Sequence, residues 1–216
     1  MKKRFTTIAI SASISALVSA QNPRYTAAME ALVNMIDTAK VGVTYIGASN
    51  AFERIAVAEK KEWLPYYYAA YTQVQGSYMG AVEKNKVDDA AERADGLIAK
   101  ADSLNPNNSE IYTVKGQINQ LRIQVNPMMR GKKYGTIAGV LLDKAATLDP
   151  SNPRPHHLTA ISLLYRPAMF GGGKDKACVE FQKAKELFDA AKPADKIAPH
   201  WGAWYNTKMI TENCTK

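Results

Sequence analysis

The chain has 216 residues, of which 46% are hydrophobic and 22% charged, with a formal net charge of +8 at pH 7. This length is ample for one domain with its own core. The positive excess is mild and spread along the sequence, so it does not favour a nucleic-acid-binding protein.

Residues 1–20 have the pattern of a cleavable signal peptide. Met1–Arg4 is basic, a moderately apolar stretch follows to Leu17, and small residues precede position 21. An uncleaved amino-terminal helix is the alternative interpretation. Position 21 is not cysteine, so we expect no lipid anchor, and removal of three basic residues with no acidic one lowers the net charge to +5. We therefore expect a soluble periplasmic or secreted protein without membrane insertion.

Helical periodicity dominates the rest of the chain. Small and apolar residues recur every three or four positions, as at Ala91, Ala94, Ile98 and Ala101. The only strand candidate, residues 41–46, is short and interrupted by glycine. Helices are predicted at residues 24–40, 51–60, 63–79, 88–104, 109–125, 136–148, 154–165, 175–191 and 200–214, with a basic loop at 128–135. The fold class is therefore predicted to be all-α.

The two cysteines, Cys178 and Cys214, are predicted to form a disulfide. Cys178 lies about 20 Å before the end of its predicted helix, and Cys214 lies about 21 Å after the start of the next one. In an antiparallel hairpin these depths coincide, so the two sulfur atoms can meet. An exported protein reaches a compartment that permits this bond. Two separate buried thiols are the alternative.

Two segments, Lys100–Asn108 and Lys144–Asn152, carry nearly the same sequence. Each ends a predicted helix with Leu, then Asn or Asp, then Pro, and continues with small polar residues. Self-similarity over tens of residues is typical of stacked supersecondary units, each too small to bury its own apolar face. We therefore expect helix pairs that stack along the chain.

The helices that carry these segments resemble the second helix of a tetratricopeptide repeat (TPR). The TPR pattern of small, bulky, alanine and proline residues occurs as Ala94, Ile98, Ala101 and Pro106, again as Ala138, Leu142, Ala145 and Pro150, and without the proline as Ala177, Phe181 and Ala184. Residues 52–56, 62–68 and 199–202 resemble exported bacterial TPR-like proteins. The resemblance covers residues 63–213. It implies a right-handed solenoid with additional amino-terminal helices and a carboxyl-terminal capping helix, with 21–216 as a single domain.

The same resemblance implies a concave groove lined by the first helix of each repeat. The groove positions fall on Tyr67, Tyr71, Gln75, Thr113, Gln117, Gln120, His157 and Tyr165. Tyrosine and glutamine suit recognition of peptide backbone or sugar hydroxyls, and filling of gaps between helices is the alternative. The leading hypothesis is a scaffold that binds a protein or peptide partner. The alternative is a soluble small-ligand-binding accessory of a transport or uptake system.

No catalytic, metal-binding or cofactor motif is evident. His156 and His157 are adjacent and point about 100° apart on a helix, so they cannot chelate one ion from one face. Residues 171–173 lack the neighbours of a phosphate-binding loop and favour a glycine turn. We therefore expect a non-enzymatic protein without metal or cofactor. A weaker alternative is an enzyme that uses His157, which requires an acidic partner for that ring.

Overall fold

The computed structural model describes residues 22–214. Within this range the chain forms nine α-helices, two single 3₁₀ turns and no strand, which confirms the all-α prediction. The α-helices are α1 (Pro23–Asp37), α2 (Gly42–Ala58), α3 (Trp63–Tyr78), α4 (Val87–Leu104), α5 (Ser109–Ile123), α6 (Pro127–Leu148), α7 (Pro153–Tyr165), α8 (Lys174–Ala190) and α9 (Ala203–Asn213). The predicted signal peptide lies outside the described residues. Between residues 22 and 214 no helix is both long and apolar enough to cross a membrane.

Each helix packs against its neighbour in the chain, and α5 also contacts α3 and α7. The larger core lies among α1–α5 and includes Ile197 from the segment after α8. A smaller core joins α7, α8 and α9 around Ala160, Phe181 and Met209. The nine residues of the small–bulky–alanine pattern are all at most 2% exposed. Small residues at these positions allow neighbouring helix backbones to approach closely.

The duplicated segments have a clear local role. The last residue of each copy caps the following helix: Asn108 Oδ1 accepts a hydrogen bond from the backbone of Glu110 at 2.9 Å, and Asn152 Oδ1 accepts one from Arg154 at 3.0 Å. A capping side chain satisfies backbone N–H groups that have no partner inside the helix, which contributes about 1 kcal/mol. Each copy therefore ends one helix and begins the next.

The helices predicted at 51–60 and 136–148 begin much earlier, at Gly42 and Pro127, and both errors involve residues that usually interrupt helices. The segment 42–50, which contains two glycines, belongs to α2. Gly42 permits the close approach of α2 to α3, since a Cβ atom at this position would lie 2.9 Å from the carbonyl oxygen of Gly76. The predicted basic loop 128–135 forms the first two turns of α6. Pro127 occupies the first helical position, and Asn126 caps the helix.

The turn predicted at residues 171–173 is confirmed. Gly171 and Gly173 have φ values of 80° and 126°. At Gly172 a Cβ atom would lie 2.0 Å from the carbonyl oxygen of Arg166. Glycine is therefore required for this tight connection between α7 and α8.

The predicted disulfide is also confirmed. Cys178 in α8 and Cys214 after α9 are bonded, with their Cα atoms 5.6 Å apart. The bond links the first turns of α8 to the end of α9, as expected for antiparallel neighbours. The smaller core and this bond together hold α9 against the rest of the chain.

Candidate functional site

Helices α3, α5 and α7 lie side by side, and their common face carries the predicted groove residues. The carboxyl-terminal segment, residues 191–202, crosses this face before α9 begins. The hydroxyl of Tyr68 donates to the carbonyl oxygen of Ile197 at 3.0 Å. The ring of Trp201 stacks on Tyr71 with centroids 4.5 Å apart. In the same segment, the ammonium group of Lys196 lies 3.0 Å from the carboxylate of Glu30 in α1. The α3 part of this face is therefore covered by the protein's own chain.

As a result, the predicted groove residues differ widely in accessibility. Tyr165 is 71% exposed and Gln75 is half-buried, whereas the other six are buried: Tyr67, Tyr71, Thr113, Gln117, Gln120 and His157. Several of the buried side chains are engaged within the protein; Gln120 Nε2, for example, donates to the carbonyl oxygen of Leu158 at 2.9 Å. Binding by these residues stays a prediction. A partner that reached Tyr71 would first have to displace Trp201 of the carboxyl-terminal segment.

A buried polar cluster attaches this segment to α5 and α7. Arg154 Nη1 lies 2.8 Å from Glu110 Oε1, and its Nη2 donates to the carbonyl oxygen of Pro199. The hydroxyl of Tyr67 donates to Glu110 Oε2 at 2.8 Å and accepts a hydrogen bond from Trp201 Nε1 at 2.8 Å. Burial, and then the charge of Glu110, raises the pKa of Tyr67 well above its usual value, so the hydroxyl stays protonated.

His157 is buried on the same face and is held in one tautomer. Its Nδ1 lies 3.0 Å from Oδ1 of Asn206, whose amide nitrogen donates to the carbonyl oxygen of Phe181 at 2.9 Å. The amide oxygen is therefore the acceptor, which assigns the proton to Nδ1. Burial lowers the pKa of His157 from 6.5 to about 4. This partner of the ring is an amide rather than the acid that an enzymatic role of His157 requires.

The buried state of His157 predicts a loss of stability in acid. The unfolded chain takes up a proton at this residue near pH 6.5, whereas the folded chain does so only near pH 4. Between these values the unfolded state binds more protons, so the free energy of unfolding falls as the pH falls, by about 3 kcal/mol in total. Urea unfolding of wild type and His157→Gln at neutral and acidic pH measures this difference.

The matched control is His156→Gln, which leaves His157 in place and should retain the steep pH dependence. His157→Gln should flatten it. An equal pH dependence in wild type and His157→Gln would contradict the assignment.

A cluster of exposed aromatic rings lies where α7 meets α9. Tyr165, Trp204 and Tyr205, which we call the aromatic patch, are 71%, 74% and 38% exposed. The rings of Trp204 and Tyr205 have centroids 6.4 Å apart. Burial, and then the adjoining Tyr165 hydroxyl, raises the pKa of Tyr205, so these two residues are neighbours. Adjoining exposed rings of this size are typical of a binding surface.

A second surface feature is a shallow depression of about 480 Å³ at the start of α6. Its lining consists of Val125, Asn126, Met129, Arg130, Lys133 and Tyr134. The side chain of Met129 is 82% exposed. Arg130 makes a bidentate pair with Asp88 at 2.6 and 2.9 Å, and this hydrogen bonding lowers the pKa of the carboxyl group. Part of the positive charge of this basic surface is therefore already neutralised.

Neither a protein-family model nor a curated protein matches the chain. A solved structure does match: the HusA haemophore from Porphyromonas gingivalis is 33% identical in sequence, with a TM-score of 0.81. The match covers 91% of this chain and 97% of that chain. The chain belongs to the HusA haemophore family. The likeness to HusA thus extends over nearly the whole of both molecules.

In this member of the HusA family, sequence reasoning found only one residue of the aromatic patch, Tyr165. The groove prediction does not include Trp204 and Tyr205, because they lie in α9, which the sequence predicts to be a capping helix. The sequence signal for these two residues is their adjacency at the start of a short helix that is otherwise mostly polar.

Proposed function

We propose that this protein is an exported, non-enzymatic haem carrier. The observation that carries the proposal is the likeness to the HusA haemophore, at 33% identity over 97% of that chain. The proposal belongs to the same class as the alternative drawn from the sequence, a soluble ligand-binding accessory of an uptake system. It replaces the peptide-binding scaffold, because Tyr71 of the expected groove is already stacked on Trp201.

The proposal also includes export through a signal peptide and a TPR-like architecture. Residues 1–20 act as the signal peptide, and residues 21–216 form one TPR-like, right-handed solenoid with α9 as its cap. The mature chain then works in the periplasm or outside the cell. The Cys178–Cys214 bond supports this location, because disulfides persist in oxidising compartments and are rare in the cytosol.

The histidines of the folded chain offer little to haem iron. His157 is 3% exposed. His156 Nδ1 lies 2.8 Å from Glu180, and His200 Nε2 lies 2.7 Å from Asp37. The exposed groups that are able to ligate iron include phenols, such as that of Tyr165. We therefore expect the contact with the flat apolar ring, rather than an imidazole–iron bond, to provide most of the affinity.

A haemin titration tests the proposal. Purified protein is titrated with ferric haem while the Soret absorbance is recorded, and the expected result is a saturable change with one-to-one stoichiometry. The same titration in urea, where the protein is unfolded, is the control, because haem adheres to many exposed apolar surfaces. A linear, unsaturated response, or the same response from the unfolded chain, would reject the haem-carrier function.

A further inference from the structure

We propose that haem binds to the aromatic patch of Tyr165, Trp204 and Tyr205. This inference rests on the proposed function and names its site. Haem is a flat, mostly apolar ring with a pair of carboxylates at one edge. A surface that binds it needs flat apolar groups for the ring and cations for the carboxylates, and it must be open in the folded protein.

The aromatic patch meets the first requirement. Trp204 and Tyr165 each leave about three-quarters of their surface in water, at 74% and 71% exposure. Stacking on a flat ligand would remove this apolar area from water. The patch also stands on a firm base, because Tyr205 packs against the buried ring of His157 with centroids 5.9 Å apart and the disulfide holds the far end of α9. A preorganised surface loses little conformational freedom when a ligand binds.

Two basic residues close to the patch, Lys208 and Arg166, meet the second requirement. Lys208 lies 5.7 Å above the ring of Trp204, and its pairing with Glu212 is loose, at 3.8 Å. Arg166 directly follows Tyr165, and its guanidinium donates to the hydroxyl of Ser162 at 3.1 Å. Within residues 22–214 no carboxylate lies within salt-bridge distance of Arg166. This arrangement complements a dianionic ligand whose charged edge lies beside an apolar ring.

The other surfaces fit haem less well. On the α3–α5–α7 face, Tyr71 is already stacked on Trp201. In the depression at the start of α6, the one aromatic ring, Tyr134, has Lys133 at 5.1 Å and Arg122 at 5.8 Å from its centroid. That depression thus offers a single ring, with two cations beside it. The aromatic patch instead offers three adjoining exposed rings, with Lys208 beside one of them, and therefore fits a large flat ligand better than these other two surfaces.

Haemin titrations of matched variants test the location. Trp204→Ala and Tyr165→Ala should each raise the dissociation constant about tenfold, which is the scale of losing one stacked ring. Tyr165→Phe keeps the ring and should bind within about threefold of wild type, and Arg166→Gln should bind about threefold more weakly because it loses one surface charge interaction. The control is Met129→Ala in the depression at the start of α6, which should bind as wild type. Circular dichroism confirms that each variant is folded.

The outcomes separate the location from the function. Weaker binding by the two patch variants with unchanged binding by Met129→Ala supports the inference. Saturable wild-type binding that survives Trp204→Ala and Tyr165→Ala together overturns the location but leaves the haem-carrier function standing. Loss of binding by Tyr165→Phe equal to that of Tyr165→Ala would reject ring contact at this residue. If wild type itself shows no saturable binding, the proposed function fails.

Discussion

Replacing Arg154 with alanine is expected to lower the free energy of unfolding by about 3–5 kcal/mol, the range for breaking a buried ion pair by removing one partner. The side chains of Arg154 and Glu110 are only 8% and 16% exposed. Without the guanidinium, the carboxylate of Glu110 keeps hydrogen bonds from Tyr67 and Asn152 but loses its countercharge. The variant also removes the donor to Pro199 and the cation that lies 5.3 Å from the Trp201 ring.

Urea unfolding measures this loss, and two further variants determine its cause. Lys185→Ala removes an exposed pair with Asp189 within α8 and should cost less than about 0.5 kcal/mol. In the double variant Glu110→Gln with Arg154→Met, no unpaired buried charge remains, so it should be more stable than Arg154→Ala alone. Amide hydrogen exchange should also become faster in residues 195–201 of Arg154→Ala, because the segment loses one of its attachments. A cost below about 1 kcal/mol would show that the pair contributes little.

The helices were the most predictable part of the structure, since their signal is local. In α4, Ala91, Ala94 and Ala101 are fully buried on the stripe that periodicity indicates. The two errors concern a proline and a glycine, residue types that interrupt a helix in some contexts and form part of one in others. Proline and glycine usually interrupt helices, yet Pro127 starts α6, and Gly42 starts α2 and permits its close contact with α3. The role of Gly42 depends on which helix lies opposite, whereas that of Pro127 is set locally, with Asn126 as the cap.

The site was less predictable because its accessibility depends on contacts between distant parts of the chain. Tyr71 is buried by Trp201, and Tyr68 is bonded to Ile197. The covering segment, residues 191–202, has no periodic pattern, so nothing local indicates that it returns across α3. A disulfide could be predicted, in contrast, because its two helices are consecutive and their lengths fix where the cysteines lie.

Replacing both cysteines with serine is expected to lower the free energy of unfolding by roughly 4 kcal/mol. The bond closes a loop with a sequence separation of 36, and in the chain-entropy model a loop of this size restricts the unfolded state by about that amount. Helix α9 has 11 residues, too few to be stable in isolation, so it depends on its packing and on this bond. Urea unfolding of wild type and Cys178→Ser with Cys214→Ser measures the difference.

Loss of the disulfide should change the arrangement of the rings in the aromatic patch as well as lower the free energy of unfolding. Trp204 and Tyr205 lie at the start of α9, whereas the bond holds its end, so a looser helix changes the position of these rings relative to Tyr165. Haemin affinity should therefore fall in the double serine variant even where the protein stays folded. Thiol labelling of denatured, unreduced wild type is the control and should detect no free cysteine. An unchanged unfolding free energy in the double serine variant would show that the packing of Met209 and Asn206 alone holds α9 in place.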